Sequence, residues 1–239
     1  MKKSLITMGI VILSSIILPI TAVAAEYTSN GAIIFETDND LTKPVDPTDP
    51  EKPVDPVDPT DPMGPNPGTA GPLSIDFASS FQFGNQKITS ETMDYYAKLQ
   101  EFTSSLAGPN YVQVTDKRGT QEGWSLSVIQ NGQFKTAQSE VLAGASLSIS
   151  SGTAISVTDK QYAPTVVENH TFVPNSEMNL VNVPAPAGKG MGTWIYRFGA
   201  DASEGAAAVK LNIPGRSVKL AKEYRTTLIW YLKNVPETE

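Results

Sequence analysis

Tyr224-Arg225-Thr226-Thr227-Leu228-Ile229-Trp230-Tyr231-Leu232 is the densest run of aromatic, β-branched and aliphatic residues in the chain. Such side chains fit a pleated, half-buried surface, so the run reads as a β-strand. Alternate residues of a strand share a face. Trp230 and Leu232 therefore point one way and Tyr231 the other, and a sheet with a single buried side must expose either the indole or the phenol. The same spacing occurs upstream at Trp124-Ser125-Leu126. Two such strands can supply the two heaviest pieces of one core.

Working outward, short alternating runs recur along the chain. Leu73 to Phe77, Phe81-Gln82-Phe83, Tyr111 to Val114 and Trp124 to Ile129 read as strands. Asn131-Gly132 is a turn signal ahead of Gln133-Phe134-Lys135. Leu147 to Ser150 and Ala154 to Val157 alternate around Ser151-Gly152, and Thr165 to Val173, Met178 to Val183, Thr193 to Phe198, Val209 to Ile213 and Val218 to Leu220 follow. Residues 92–102 fit helix or strand on propensity alone. Short strands at this spacing predict an all-β, mainly antiparallel sandwich or barrel-like domain.

Composition narrows the function. The chain carries 18 basic and 25 acidic residues, a net charge of −7 with no basic patch, so nucleic acid is not an expected partner. The absence of cysteine removes disulfides, thiolate chemistry and lipid attachment through an N-terminal Cys. Lys2 and Lys3, the apolar run from Leu5 to Ile20 and the small-residue site Ala22-Val23-Ala24 have the form of a secretory signal peptide at residues 1–25. That run is short for a membrane span and no other stretch is apolar enough for one, so no membrane anchor is expected.

An arm at residues 26–42 holds one expected strand, Ala32-Ile33-Ile34-Phe35, behind the turn pair Asn30-Gly31. It is too short to fold alone and must either join a sheet of its own domain or recognise another chain. Residues 43–70 form an acidic proline-rich linker. Proline falls at every third position from Pro44 to Pro62, which matches the turn of a polyproline II helix. Residues 26–70 hold ten acidic and two basic residues, whereas residues 71–239 net −1. The expectation is a stiff, solvated spacer with few contacts to the domain, reaching roughly 80 Å at about 3.1 Å per residue. The domain itself is expected at residues 71–239.

The motifs resemble those of a known family. Val114-Thr115-Asp116-Lys117-Arg118-Gly119-Thr120, followed by Gly123-Trp124-Ser125-Leu126, is similar to the first signature of the WxL domain. Leu211-Asn212-Ile213-Pro214-Gly215, then Tyr224 and Thr227 to Leu232 with Pro236, is similar to the second, at the C-terminal position it occupies in the family. The signal peptide, the Ser29-Asn30-Gly31 arm and the Pro-Asp segment resemble the small secreted members. The resemblance implies a surface protein of low-GC Gram-positive bacteria, attached non-covalently to the cell wall through peptidoglycan. Some members are associated with host matrix proteins or with other cell-surface proteins. No Leu-Pro-x-Thr-Gly motif with an apolar stretch and basic tail is found, which fits non-covalent attachment.

The site residues follow from these motifs. Trp124 and Trp230, with Tyr231 nearby, either stack on sugar rings or, sharing their faces with Leu126 and Leu232, form core. Lys117, Arg118 and Arg225 either meet wall carboxylates or phosphates or, in the case of Asp116 and Arg118, pin a turn. Catalysis finds no support. His170 is the only histidine, without the setting of a nucleophile or of clustered metal-ligating carboxylates. Gly188-Lys189-Gly190-Met191-Gly192 has the glycines of a phosphate loop without its strand and helix, and reads as a hairpin tip. No enzyme activity and no cofactor or metal is expected.

Overall fold

A computed structural model describes residues 25–185 and 188–234. The expected signal peptide lies, but for Ala25, outside the described residues, as does Pro236. The chain divides into two units, Met1–Phe35 and Glu36–Glu239. In the first unit the described residues form no regular secondary structure, and the strand expected at Ala32 to Phe35 does not form. Ile33, Ile34 and Phe35 are exposed. A run this short gains no ladder hydrogen bonds until an edge pairs with it.

The second unit is built from antiparallel sheets around one main core. One sheet orders β14 (Arg225–Lys233), β6 (Trp124–Lys135), β11 (Glu177–Val183) and β9 (Thr165–Val166). A second orders β3 (Leu73–Ala78), β5 (Tyr111–Asp116), β12 (Gly192–Phe198) and β8 (Gly152–Ile155). A third orders β10 (His170–Thr171), β7 (Ser146–Ile149), β13 (Val209–Ile213) and β4 (Met93–Tyr96). A short helix, α1 (Ala202–Ala208), is capped by the Asp201 carboxylate, which accepts from Glu204 N at 2.9 Å. The fold is mainly antiparallel and sandwich-like, as the strand pattern predicts.

Alternation sets what each sheet buries. Val112 and Val114 of β5, Trp194, Tyr196 and Phe198 of β12, Trp124, Leu126 and Val128 of β6, and Val209, Leu211 and Ile213 of β13 enter a single cluster. Trp230 and Leu232 pack against it from the edge strand β14.

Three local readings are corrected. Asn131-Gly132 does not turn the chain: β6 runs through it, and Gly132, at φ +77°, serves a bulge where the register with β14 slips between Arg225 and Thr227. The turn read at Ser151-Gly152 is present, and the strands it joins, β7 and β8, lie in different sheets. Phe81 and Phe83 lie in irregular chain yet pack on the core, and Val218 to Leu220 form no strand.

The proline-rich segment differs most from expectation. Val45–Asp46 (β1) and Asp49–Pro53 (β2) form a two-stranded hairpin. Its turn is Asp46-Pro47-Thr48-Asp49, where the Asp46 carboxylate accepts from Thr48 N and Thr48 Oγ1, both at 2.7 Å. Asp58-Pro59-Thr60-Asp61 repeats the device, with 2.7 Å and 2.8 Å to Asp58. Asp before Pro is turn chemistry, and it outweighs the three-residue proline period.

The valines between the turns are apolar anchors. Val54 is buried with Phe77, Phe102, Tyr111 and Ile195 on the outer face of the β3–β5–β12 sheet, and Val45 packs beside them. Gln113, fully buried, binds the segment directly: its Oε1 accepts from Val45 N at 2.8 Å and its Nε2 donates to Lys43 O at 3.0 Å. The same Nε2 donates to Asp76 at 2.8 Å, a carboxyl that burial pushes above the usual range despite donors from Thr115 and Ser74. Arg197 Nη1 donates to Pro47 O at 2.9 Å, and Val57 N donates to Glu101 O at 2.9 Å. Hydrogen exchange is therefore expected to show the amides of Val45, Val54 and Val57 protected like those of the sheet beneath, whereas a solvated spacer exchanges at the rate of unstructured peptide.

Candidate functional site

The two Trp-x-Leu triplets lie side by side. In the β6–β14 ladder Leu126 faces Leu232, Val128 faces Trp230 and Ser125 faces Lys233. Trp124 and Leu126 are wholly enclosed, and the Trp124 indole donates through Nε1 to Gly190 O at 3.1 Å. Gly190 is buried against that ring and is not a hairpin tip: a Cβ there stands 2.8 Å from Trp124 Nε1. Trp230 and Leu232 face the same core but lie on an edge strand, so they are half-buried. Trp124, Leu126, Trp230 and Leu232 are thus packing residues here.

The basic residues of the first motif are engaged in the fold. Arg118 holds Asp116 through Nε at 3.0 Å and Nη2 at 2.8 Å, and Nη2 also donates to Gly123 O at 2.7 Å. This fork closes the loop between β5 and β6. Lys117 Nζ donates to Asp38 Oδ2 and to Asp40 O, both at 2.7 Å, tying down the chain that leads into the hairpin.

Tyr231 and Arg225 point elsewhere. Tyr231 is 40% exposed on the opposite face of β14 from the indole. That outer face carries Ile229, Tyr231 and Lys233 of β14, Ser125, Ser127 and Ile129 of β6, and Glu177 and Asn179 of β11. Ser125 and Ser127 form a buried floor. Lys233 Nζ meets Glu177 Oε1 at 2.6 Å, and Ser127 Oγ donates to the same oxygen, so both hold the Glu177 carboxyl below its usual range.

At the far end of the face, Thr227 leads into an open cleft of about 620 Å³ that Asn131, Lys135, Gln138, Lys222 and Arg225 also line. Arg225 pairs with Glu223 at 2.9 Å and donates to Thr60 O at 3.2 Å, and Lys222 pairs with Glu140 at 2.6 Å. The structure therefore gathers Tyr231 and Arg225 on one exposed surface and separates them from the other six residues singled out by sequence. Glu177, Ser127 and Lys222 were missed, because cross-strand neighbours are fixed by register and not by sequence spacing.

His170 sits on β10, its ring 5.0 Å from that of Phe172, and burial lowers its pKa. Among the described residues no group of three or more imidazole or acidic side chains that could hold a metal ion occurs. The molecule has the form of an all-β module that presents a mixed aromatic and polar sheet face ending in a cationic cleft. The family model for the WxL domain, a surface cell wall-binding domain, matches residues 22–236, and the chain belongs to that family. The match takes in the proline-rich segment as well as the sheets. Neither a search of curated proteins nor one of solved structures finds a match. The family is one of wall binding at the cell surface, not of catalysis. No helix among the described residues is long and apolar enough to cross a membrane.

Proposed function

We propose that this is a secreted protein, released from a signal peptide at residues 1–25 and held non-covalently at the wall by peptidoglycan along the outer face of β14 and β6. The observation that carries the reading is the match to a wall-binding family over nearly the whole chain. The face supports it. The exposed Tyr231 ring offers a flat surface to the C–H side of a sugar. Glu177, Lys233 and Asn179 offer hydrogen-bonding groups, and Lys135, Lys222 and Arg225 at the cleft suit the carboxylates of a peptide stem. From Thr227 to Lys233 this strand spans about 20 Å at roughly 3.3 Å per residue, room for several sugar units of a polymer. The test is co-sedimentation with purified peptidoglycan. The wild-type protein is expected in the pellet, and Tyr231→Ala is expected to stay largely in the supernatant with an unchanged melt, since its ring is not part of the core. Retention of Tyr231→Ala at the wild-type level would remove this face from the site.

A second reading, adhesion to a host matrix or partner surface protein, is favoured by one observation: the exposed apolar run Ile33-Ile34-Phe35.

A further inference from the structure

β14 is an edge strand. It pairs with β6 on one side, and no strand among the described residues pairs with the other. It is nine residues long, contains no proline, and bulges only at its start. Its charges are confined to its ends, at Arg225 and Lys233, with Leu228 to Leu232 between them. Natural edges of this length are normally blunted by proline, charge or a covering segment. An unblunted one is a template for an added strand.

The same chain carries a matching segment. Residues 26–42 contain Glu26, Glu36, Asp38 and Asp40 and no Lys or Arg, with Ala32-Ile33-Ile34-Phe35 between the acidic positions. An unbroken apolar run has no polar face, which is the composition of a strand covered on both sides. Yet Tyr27, Ile33, Ile34 and Phe35 are all exposed.

We propose that the arm of one molecule adds to the β14 edge of a second copy of this chain. Apolar centre meets apolar edge, and Glu36 meets Lys233, which also keeps its own partner Glu177. One parallel register satisfies both faces. Ile33 and Phe35 then lie beside Trp230 and Leu232 on the core side, where they complete the cover that the edge position denies these two. Ile34 and Glu36 lie beside Tyr231 and Lys233 on the outer side. Because the contact uses two different surfaces, it is head-to-tail and propagates into rings or filaments.

The test uses the purified protein with Ile33→Lys/Phe35→Lys as the variant. Both positions lie outside every strand and core cluster, so the variant is expected to melt with the wild type. In sedimentation velocity the wild type is expected to gain mass with concentration while the variant stays monomeric. In hydrogen exchange the amides of residues 225–233 are expected to gain protection on assembly. A wild type that is monomeric throughout, assembly that persists in the variant, or assembly without protection of β14 would each overturn the proposal. Wall co-sedimentation of the variant is expected to be unchanged, so failure of assembly and failure of wall binding are separately visible.

Discussion

Trp124→Ala is expected to lower stability by about 3–5 kcal/mol, the range for truncating a large enclosed aromatic. The ring is 1% exposed, lies between Val183 of β11 and the Gly190 loop, and has its N–H satisfied by Gly190 O. Removing it leaves a void in the packed core and strands the carbonyl of the buried Gly190. Trp230→Ala serves as the internal comparison. Its indole faces the same core from an edge strand and is only partly buried, so the expected loss is smaller, about 1.5–3 kcal/mol. Urea unfolding of both variants measures the difference. Equal losses would show that Trp230 is as enclosed as Trp124, and the edge assigned to β14 would then be covered.

Gly123→Ala is the second large effect, about 2–5 kcal/mol from strain and overpacking together. Gly123 sits at φ +76°, and a Cβ there would stand 2.2 Å from the carbonyl oxygen of Val183. Neither side can give way. Val183 is paired with Trp124 in the ladder, and Gly123 O is the acceptor of Arg118 Nη2. The glycine before the first tryptophan is thus the point where two backbones touch, and the motif needs it for that reason. Circular dichroism melts should place this variant far below the wild type. A melt within a few degrees would mean that the β5–β6 loop has another conformation.

The class of fold was legible because alternation is a local property. Leu73 to Phe77, Tyr111 to Val114, Met178 to Val183 and Thr226 to Leu232 all lie in strands of the structure. What alternation leaves open is partnership. Ser151 at φ +54° looks the same in sequence whether the flanking strands pair with each other or turn a corner into different sheets. The proline-rich segment was misread for a related reason. Its three-residue period is visible in sequence, but the sink for its valines, the patch of Phe77, Tyr111 and Ile195, comes from three separate strands. Of the candidate site, only the opposition of Trp230 and Tyr231 was legible, since it follows from the pleat alone. The Asp116–Arg118 fork was open to two readings until Gly123 O appeared as its third anchor.

The cladding of the β3–β5–β12 sheet by residues 43–58 has a mechanical consequence. A tug on the N-terminal side of this segment loads Lys117–Asp38 first, then Gln113 on Lys43 O, Val54 N on Pro44 O, Gln113 on Val45 N, Arg197 on Pro47 O and Val57 N on Glu101 O. These attachments are strung along the segment and meet the load one after another, the geometry of peeling tape and not of a lap joint in shear. Each release frees chain that, once detached, has the composition of a stiff rod, and the full length of residues 43–68 paid out in this way spans roughly 80 Å. At rest the segment seals a core patch. Under tension it becomes a tether that lengthens in steps before the sheets themselves bear the strain.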